Sequence, residues 1–115
     1  MPLNDALLDI GGTAMKNAIT HLSIHTAQPN ASGSNESSAG RQAAGWGATG
    51  TGGDFSTTNR AFTGGAASGP ATHVGFWSAS TAGTFYGYQP LTGDQTFNAA
   101  GEYTITTLTV TGTSP

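Results

Sequence analysis

Large apolar side chains in this chain rarely stand side by side, and most of them alternate with small polar residues. Period-two spacing sends side chains to opposite faces of an extended backbone, so it predicts half-buried β-strands rather than helices. Scarcity sharpens the constraint: Leu, Ile, Val, Met, Phe, Trp and Tyr make up 24 of 115 residues, whereas Gly, Ala, Thr and Ser make up 64. Leu, Ile, Val and Phe alone number 17, a level associated with disorder, but only 8% of residues are charged and the net charge is -3. That is too little self-repulsion to hold a chain open. The expectation is an all-β fold, a single small β-sandwich or jelly-roll-like domain with a thin core. Each large side chain that is fully buried contributes about 1.5–3 kcal/mol, against the ordering of a Gly-rich backbone. Self-association, or docking onto a larger assembly, would supply the missing burial.

Residues 1–19 differ from the rest. Leu3, Leu7, Leu8, Ile10, Ala14, Met15, Ala18 and Ile19 follow helical spacing, and Asn4 or Asp5 can cap the start. Gly11 and Gly12 each cost roughly 1 kcal/mol in a helix relative to Ala, so a break into two short helices or an extended arm is expected there. The body, 20–115, begins with a strand that carries Leu22 and Ile24 on one face and His21, Ser23 and His25 on the other, expected to be wet. Residues 28–40 contain no large side chain and read as a long exposed loop. Further strands are expected over 41–46, 55–63, 72–79, 84–89 and 102–111, with a hairpin turn at Ser80-Thr81-Ala82-Gly83. In the last strand Tyr103 and Ile105 have one parity and Leu108 and Val110 the other. A β-bulge at Thr106 or Thr107 would return all four to the core. The core is expected to hold Leu22, Ile24, Phe76, Trp77, Tyr103 and Ile105.

Chemistry-bearing patterns are sparse. Three Lys and Arg against six Asp and Glu leave no basic footprint for nucleic acid or anionic lipid. No long apolar stretch or secretory leader is evident, so neither membrane insertion nor secretion is expected. The absence of cysteine removes disulfides, thiolate catalysis and zinc–thiolate sites. His21 and His25 lie four apart, which on a strand separates them by roughly 13 Å. They cannot share an ion, although His73 could join one of them across strands; no metal and no cofactor are expected. The Gly-rich segment 47–53 lacks the Lys and helix that a phosphate loop requires. The carboxylates are scattered, and no Ser, His and Asp order suggests a nucleophile, so no catalytic residue is assigned. Trp46, Trp77, Tyr86 and Tyr88 are either core or a platform for stacking sugars.

Several stretches taken together resemble a known family. HLSIHTAQP at 21–29, Asn35-Glu36, GRQA at 40–43, ATHVGFWSASTAGTFYGY at 71–88 and QTFNAAGEYTI at 95–105 are similar to small virion proteins of tailed bacteriophages. Members are labelled tail fibre or minor tail proteins, and proteins of similar size and composition decorate capsids. The resemblance implies a non-enzymatic structural protein on the virion exterior, assembled in the host cytoplasm. Its first reading is a minor tail or fibre-like subunit; a capsid decoration protein and a carbohydrate-binding module for host attachment are the alternatives. Tail or major capsid proteins are the implied partners, with a homo-oligomer, by analogy a trimer, and a host-surface glycan. An attachment role would fall to Leu3, Leu7, Leu8 and Ile10, and loop contacts to Asn30, Asn35, Arg41 and Asn59.

Overall fold

A computed structural model describes residues 4–48 and 53–111. It contains one helix, α1 (Asp5–Ala18), followed by six strands: β1 (His21–His25), β2 (Gln42–Ala43), β3 (Phe55–Phe62), β4 (His73–Trp77), β5 (Phe85–Pro90) and β6 (Tyr103–Val110). The strands form two antiparallel sheets, one ordered β2-β1-β4-β5 and one pairing β3 with β6. The all-β sandwich-like expectation holds, with the helix as an N-terminal addition.

The core lies between the sheets. Leu22 and Ile24 of β1 and Val74 and Phe76 of β4 meet Phe55 and Phe62 of β3 and Tyr103, Ile105 and Leu108 of β6. Phe97 joins from the loop before β6, its ring 6.2 Å from that of Tyr103. Trp46 closes one end, edge-on to Phe55 at 4.8 Å, and its Nε1 donates to the Ile19 carbonyl at 2.8 Å. A partly buried indole N–H is thereby satisfied by the segment that links helix to body.

α1 runs unbroken through Gly11 and Gly12. Asn4 caps it by accepting from the Leu7 N–H at 2.9 Å, Asp5 sits in the first turn and Lys16 in the last, in keeping with the helix dipole. The expected break does not occur because Gly12 has a packing task. It is the buried residue of the helix, and a Cβ there would lie 2.8 Å from the Cα and carbonyl carbon of Gly53. Asp9 accepts from the Gly53 N–H at 2.9 Å, and Lys16 Nζ donates to the Gly47 carbonyl at 2.9 Å. The backbone contact at Gly12 and these two polar ties hold the helix against the loop that precedes β3.

The last strand differs in detail from expectation. Tyr103, Ile105 and Leu108 are buried and Val110 partly so, as a parity switch requires, yet β6 carries no extra residue relative to β3. The register from Phe55↔Val110 to Phe62↔Tyr103 is continuous on both sides of the Asn59 and Thr106 rung, and Asn59 takes φ 54°. Both strands switch parity at the same rung, so the faces change without slippage. The register shift lies instead between β4 and β5, where Phe76 pairs with Gly87 and Trp77 with Phe85, leaving Tyr86 as the additional residue. The 41–46 strand is reduced to two residues. The turn between β4 and β5 is wider than Ser80–Gly83, closed by Ser78 and Thr84.

The two adjacent glycines of α1 give opposite expectations. Gly11→Ala, with open space around it, stabilises by about 0.5–1 kcal/mol. Gly12→Ala loses that gain and destabilises, because the methyl meets backbone. Urea unfolding of the two variants should move in opposite directions; equal stabilisation would disprove the Gly12–Gly53 contact.

Candidate functional site

The face of β1 that looks away from the core, with His21, Ser23 and His25, was expected to be wet, and Trp77 of the adjacent β4 was expected in the core. That face is covered. Ser23, His25 and Trp77 are all buried there, and the cover is the 28–41 segment, which pairs back onto β1 through a His25↔Glu36 bridge. Ser37 N–H donates to the Ile24 carbonyl at 2.8 Å and Thr26 N–H to the Asn35 carbonyl at 2.9 Å. Asn30 folds the segment from within, its Oδ1 accepting from Ser32 N–H and Oγ–H and from Ser34 N–H. Gly33 takes φ 83° and approaches the Trp77 ring so closely that a Cβ would lie 2.7 Å from two of its carbons. A side chain there would lift the cover from the indole.

Beneath the cover runs a continuous hydrogen-bond relay. Trp77 Nε1–H donates to Ser23 Oγ at 2.8 Å, and Ser23 Oγ lies 2.6 Å from His25 Nε2. His25 Nδ1 is 2.8 Å from the Ser34 carbonyl. A carbonyl only accepts, so Nδ1 carries the proton, Nε2 is the acceptor, and Ser23 donates to it. Every donor has an acceptor while the imidazole is neutral. Burial accordingly lowers the His25 pKa below 6.5, with His73 and Arg41 lowering it further, against the Ser34 carbonyl and Glu36, which favour the charged ring.

Arg41 closes the arrangement. Its guanidinium carbon lies 3.5 Å from the Trp77 ring centroid. Nε and Nη2 hold the Glu36 carboxylate at 2.7 and 3.1 Å, and Nη1 donates to the Ala79 and Ala82 carbonyls at 3.1 and 2.8 Å. The planar fork meets a planar carboxylate above an aromatic face, geometry that Lys cannot reproduce. Arg41, expected as an exposed contact, is therefore a structural clamp with a side chain only 9% exposed. Glu36 and Arg41 both fall in stretches that carry the family resemblance, but no spacing rule connects them to each other or to Trp77.

The other sequence-derived residues fall as follows. Leu22, Ile24, Phe76, Tyr103 and Ile105 lie in the inter-sheet core, whereas Trp77 is buried on the opposite face. Leu3 lies outside the described residues, as do 49–52 of the Gly-rich segment. Leu7 and Ile10 are exposed at 50% and 67%, and Leu8 turns inward toward Gly53. Asn30, Asn35 and Asn59 are exposed; Asn30 and Asn35 are occupied in folding the cover, Asn35 through Nδ2–H to the Gln28 carbonyl. His25 pairs with His73 across the ladder, but no group of three His, Asp or Glu able to hold a metal occurs among the described residues. Of the four platform aromatics, Trp46 and Trp77 are engaged internally and Tyr86 and Tyr88 are exposed on β5.

On the surface, Leu7 and Ile10 of α1 and Tyr86 and Tyr88 of β5 are exposed, while the outer face of the larger sheet is covered. A family model described as Podophage GP4 fiber I protein gp80 matches residues 3–113. The chain belongs to this phage fibre family. It is thus a fibre-like virion protein, as the resemblance implied. No curated protein matches the chain.

Two expectations follow for the covered face. Trp77→Ala removes the ring that Gly33, Arg41 and Phe85 pack on and destabilises by about 3–5 kcal/mol, read by urea unfolding; an unchanged midpoint would mean the cover does not rest on the indole. For His25 the folded pKa is depressed, so below about pH 6.5 the unfolded chain binds more protons. Stability should therefore decline as pH falls from 7 through the folded pKa. The His25→Gln variant should lose less over that interval, and parallel profiles would refute the assignment.

Proposed function

We propose that this protein is a non-enzymatic structural subunit on the exterior of a tailed-phage virion, fibre-like or minor-tail-like, docked through α1 with the β-body outward. The observation that carries the docking is the helix itself. Its Gly12 side packs on the body, yet Leu7, Ile10 and Ala14, at i, i+3 and i+7, form a second apolar stripe that faces solvent. A helix apolar on two sides fits between its own body and another chain. The partner is another virion protein of the tail or, in the alternative reading, the major capsid protein.

The non-enzymatic reading is supported by how the polar side chains are spent. The Ser23–His25 pair has the separation of a nucleophile and base, but both residues are fully buried and the imidazole is held by a carbonyl rather than a carboxylate. A host-surface glycan contact draws its support from Tyr86 and Tyr88, exposed at 51% and 40%. Such rings offer apolar faces with polar tips.

The docking test uses phage carrying Leu7→Ser with Ile10→Ser. Each side chain would bury about 1.5–3 kcal/mol on docking, so the pair should weaken attachment by roughly a hundredfold or more. Purified virions should then contain far less of the protein, while its thermal unfolding stays normal. Incorporation at the usual level would rule out α1 as the attachment element. Labelling the body on intact virions separates the tail reading from the capsid one.

A further inference from the structure

His25 is fully buried between the larger sheet and the 28–41 cover, and it stays uncharged because every proton around it has a fixed place. Trp77 Nε1–H fills one lone pair of Ser23 Oγ, and the Ser23 O–H fills the free nitrogen of the imidazole. A proton taken up at Nε2 turns that nitrogen from acceptor to donor. Ser23 Oγ then accepts from both rings, and its own O–H is left without an acceptor in the relay. The backbone of Gly75 on β4 closes the space beside the pair. A single Cβ there would lie 2.6 Å from Ser23 Oγ and closer still to His25 Nε2, so no room is left on that side for a bridging water.

The charge is as badly placed as the proton. The groups that face the ring are Glu36 and Arg41 from the cover, His73 from β4, and the Phe85 ring from β5 with its centroid 5.9 Å away. Glu36 attracts a charged imidazole, but both its oxygens are already held by Arg41. Arg41 repels it, as does His73, which stands directly opposite His25 in the ladder. A buried imidazolium would therefore have no counter-ion of its own among the described residues. It can keep its charge only by reaching water, and water lies on the other side of the cover.

The cover is the part that can yield. From 28 to 37 it contains no large apolar side chain, and its ties to β1 are few: Ser37 N–H to the Ile24 carbonyl, Thr26 N–H to the Asn35 carbonyl, and the Ser34 carbonyl on His25 itself. Its far end is fastened elsewhere, with Ser38 Oγ–H donating to the Gly64 carbonyl at 2.8 Å and Gly40 N–H to the Thr63 carbonyl at 3.3 Å. The inter-sheet core lies on the opposite face of β1 and β4 and includes none of Ser23, His25 or Trp77. Opening the cover need not disturb it.

We propose that residues 28–37 form a proton-triggered lid: uptake of a proton at His25 Nε2 releases them from β1, hinged at 38–40, while both sheets and the core between them stay folded. The Glu36–Arg41 pair is the tie the proton must overcome, since the lid carries Glu36 while Arg41 stays on Trp77. The opened face presents Trp77 and Phe85, whose rings are 5.0 Å apart, beside the outward Tyr86 and Tyr88. Acid thus converts a covered face into an aromatic one. The inference rests on the covered face alone and does not depend on the docking of α1.

Hydrogen exchange of the full chain, followed by NMR at individual amides between pH 7.5 and 5, tests it. Expressed as protection factors, which remove the pH dependence of exchange itself, protection of Thr26 and Ser37 should fall. A histidine of ordinary pKa, about 6.5, in the open state sets the scale: opening should increase several-fold, and by no more than about thirtyfold, over that range. The β3–β6 ladder should keep its protection. His25→Gln should abolish the pH dependence at Thr26 and Ser37, with His21 and His73 still in place to report any effect of their own. Should that variant not fold, the His25 ring resonances of the unmodified chain decide: they must titrate over the same pH range as the loss of protection. Unchanged protection at Thr26 and Ser37, a loss shared by the β3–β6 ladder, an equal loss in the Gln variant, or a ring titration out of step with the loss would each overturn the lid.

Discussion

The guanidinium of Arg41 over the ring of Trp77 ties together parts of the chain that lie far apart in sequence. It joins the 28–41 cover, the turn after β4 and the outer face of the larger sheet through one side chain. Partly withdrawn from water, a cation on an aromatic face contributes up to about 2 kcal/mol, and the Glu36 carboxylate supplies the charge balance that the burial of Arg41 requires. With that clamp in place, Ser23 and His25 are removed from solvent and must satisfy each other, which they do with a neutral ring.

A chain poor in large side chains has reason to build in this way. The inter-sheet core takes most of the available Leu, Ile, Val and Phe, leaving little for a second layer. The second layer is therefore made of one indole with the Phe85 ring beside it, backbone, and polar groups that are fully paired: no buried side-chain nitrogen or oxygen among the described residues lacks a partner. Paired polar burial fixes one arrangement strongly, since each alternative would strand a donor or an acceptor.

Much of the fold was legible in the residues. The helix, the period-two strands and the all-β class followed from spacing, and the family from a series of short segments. Several particulars were not. Gly11 and Gly12 look alike in sequence, yet one faces open space and the other a backbone; only the position of Gly53 separates them. HLSIH reads as a strand with one wet face because His and Ser are usually solvated. Nothing local reveals that a loop containing no large side chain returns to cover them. Arg41 looked like a loop contact for the same reason, its three partners lying at 36, 77 and the turn beyond 78.

What the sequence determined by itself was therefore periodic and local: where strands run, that a helix starts at Asn4 or Asp5, and that Tyr103, Ile105, Leu108 and Val110 need a parity switch to share a core. Tertiary structure decided how that need was met and which faces were covered. The switch could have been a bulge on one strand, but β3 makes the same change at Asn59, so the register survives. Burial of a second sheet face and the neutrality of His25 depend on which segments come together across dozens of residues. Those are properties of packing, where a side chain's environment is set by neighbours that its own stretch of sequence does not contain.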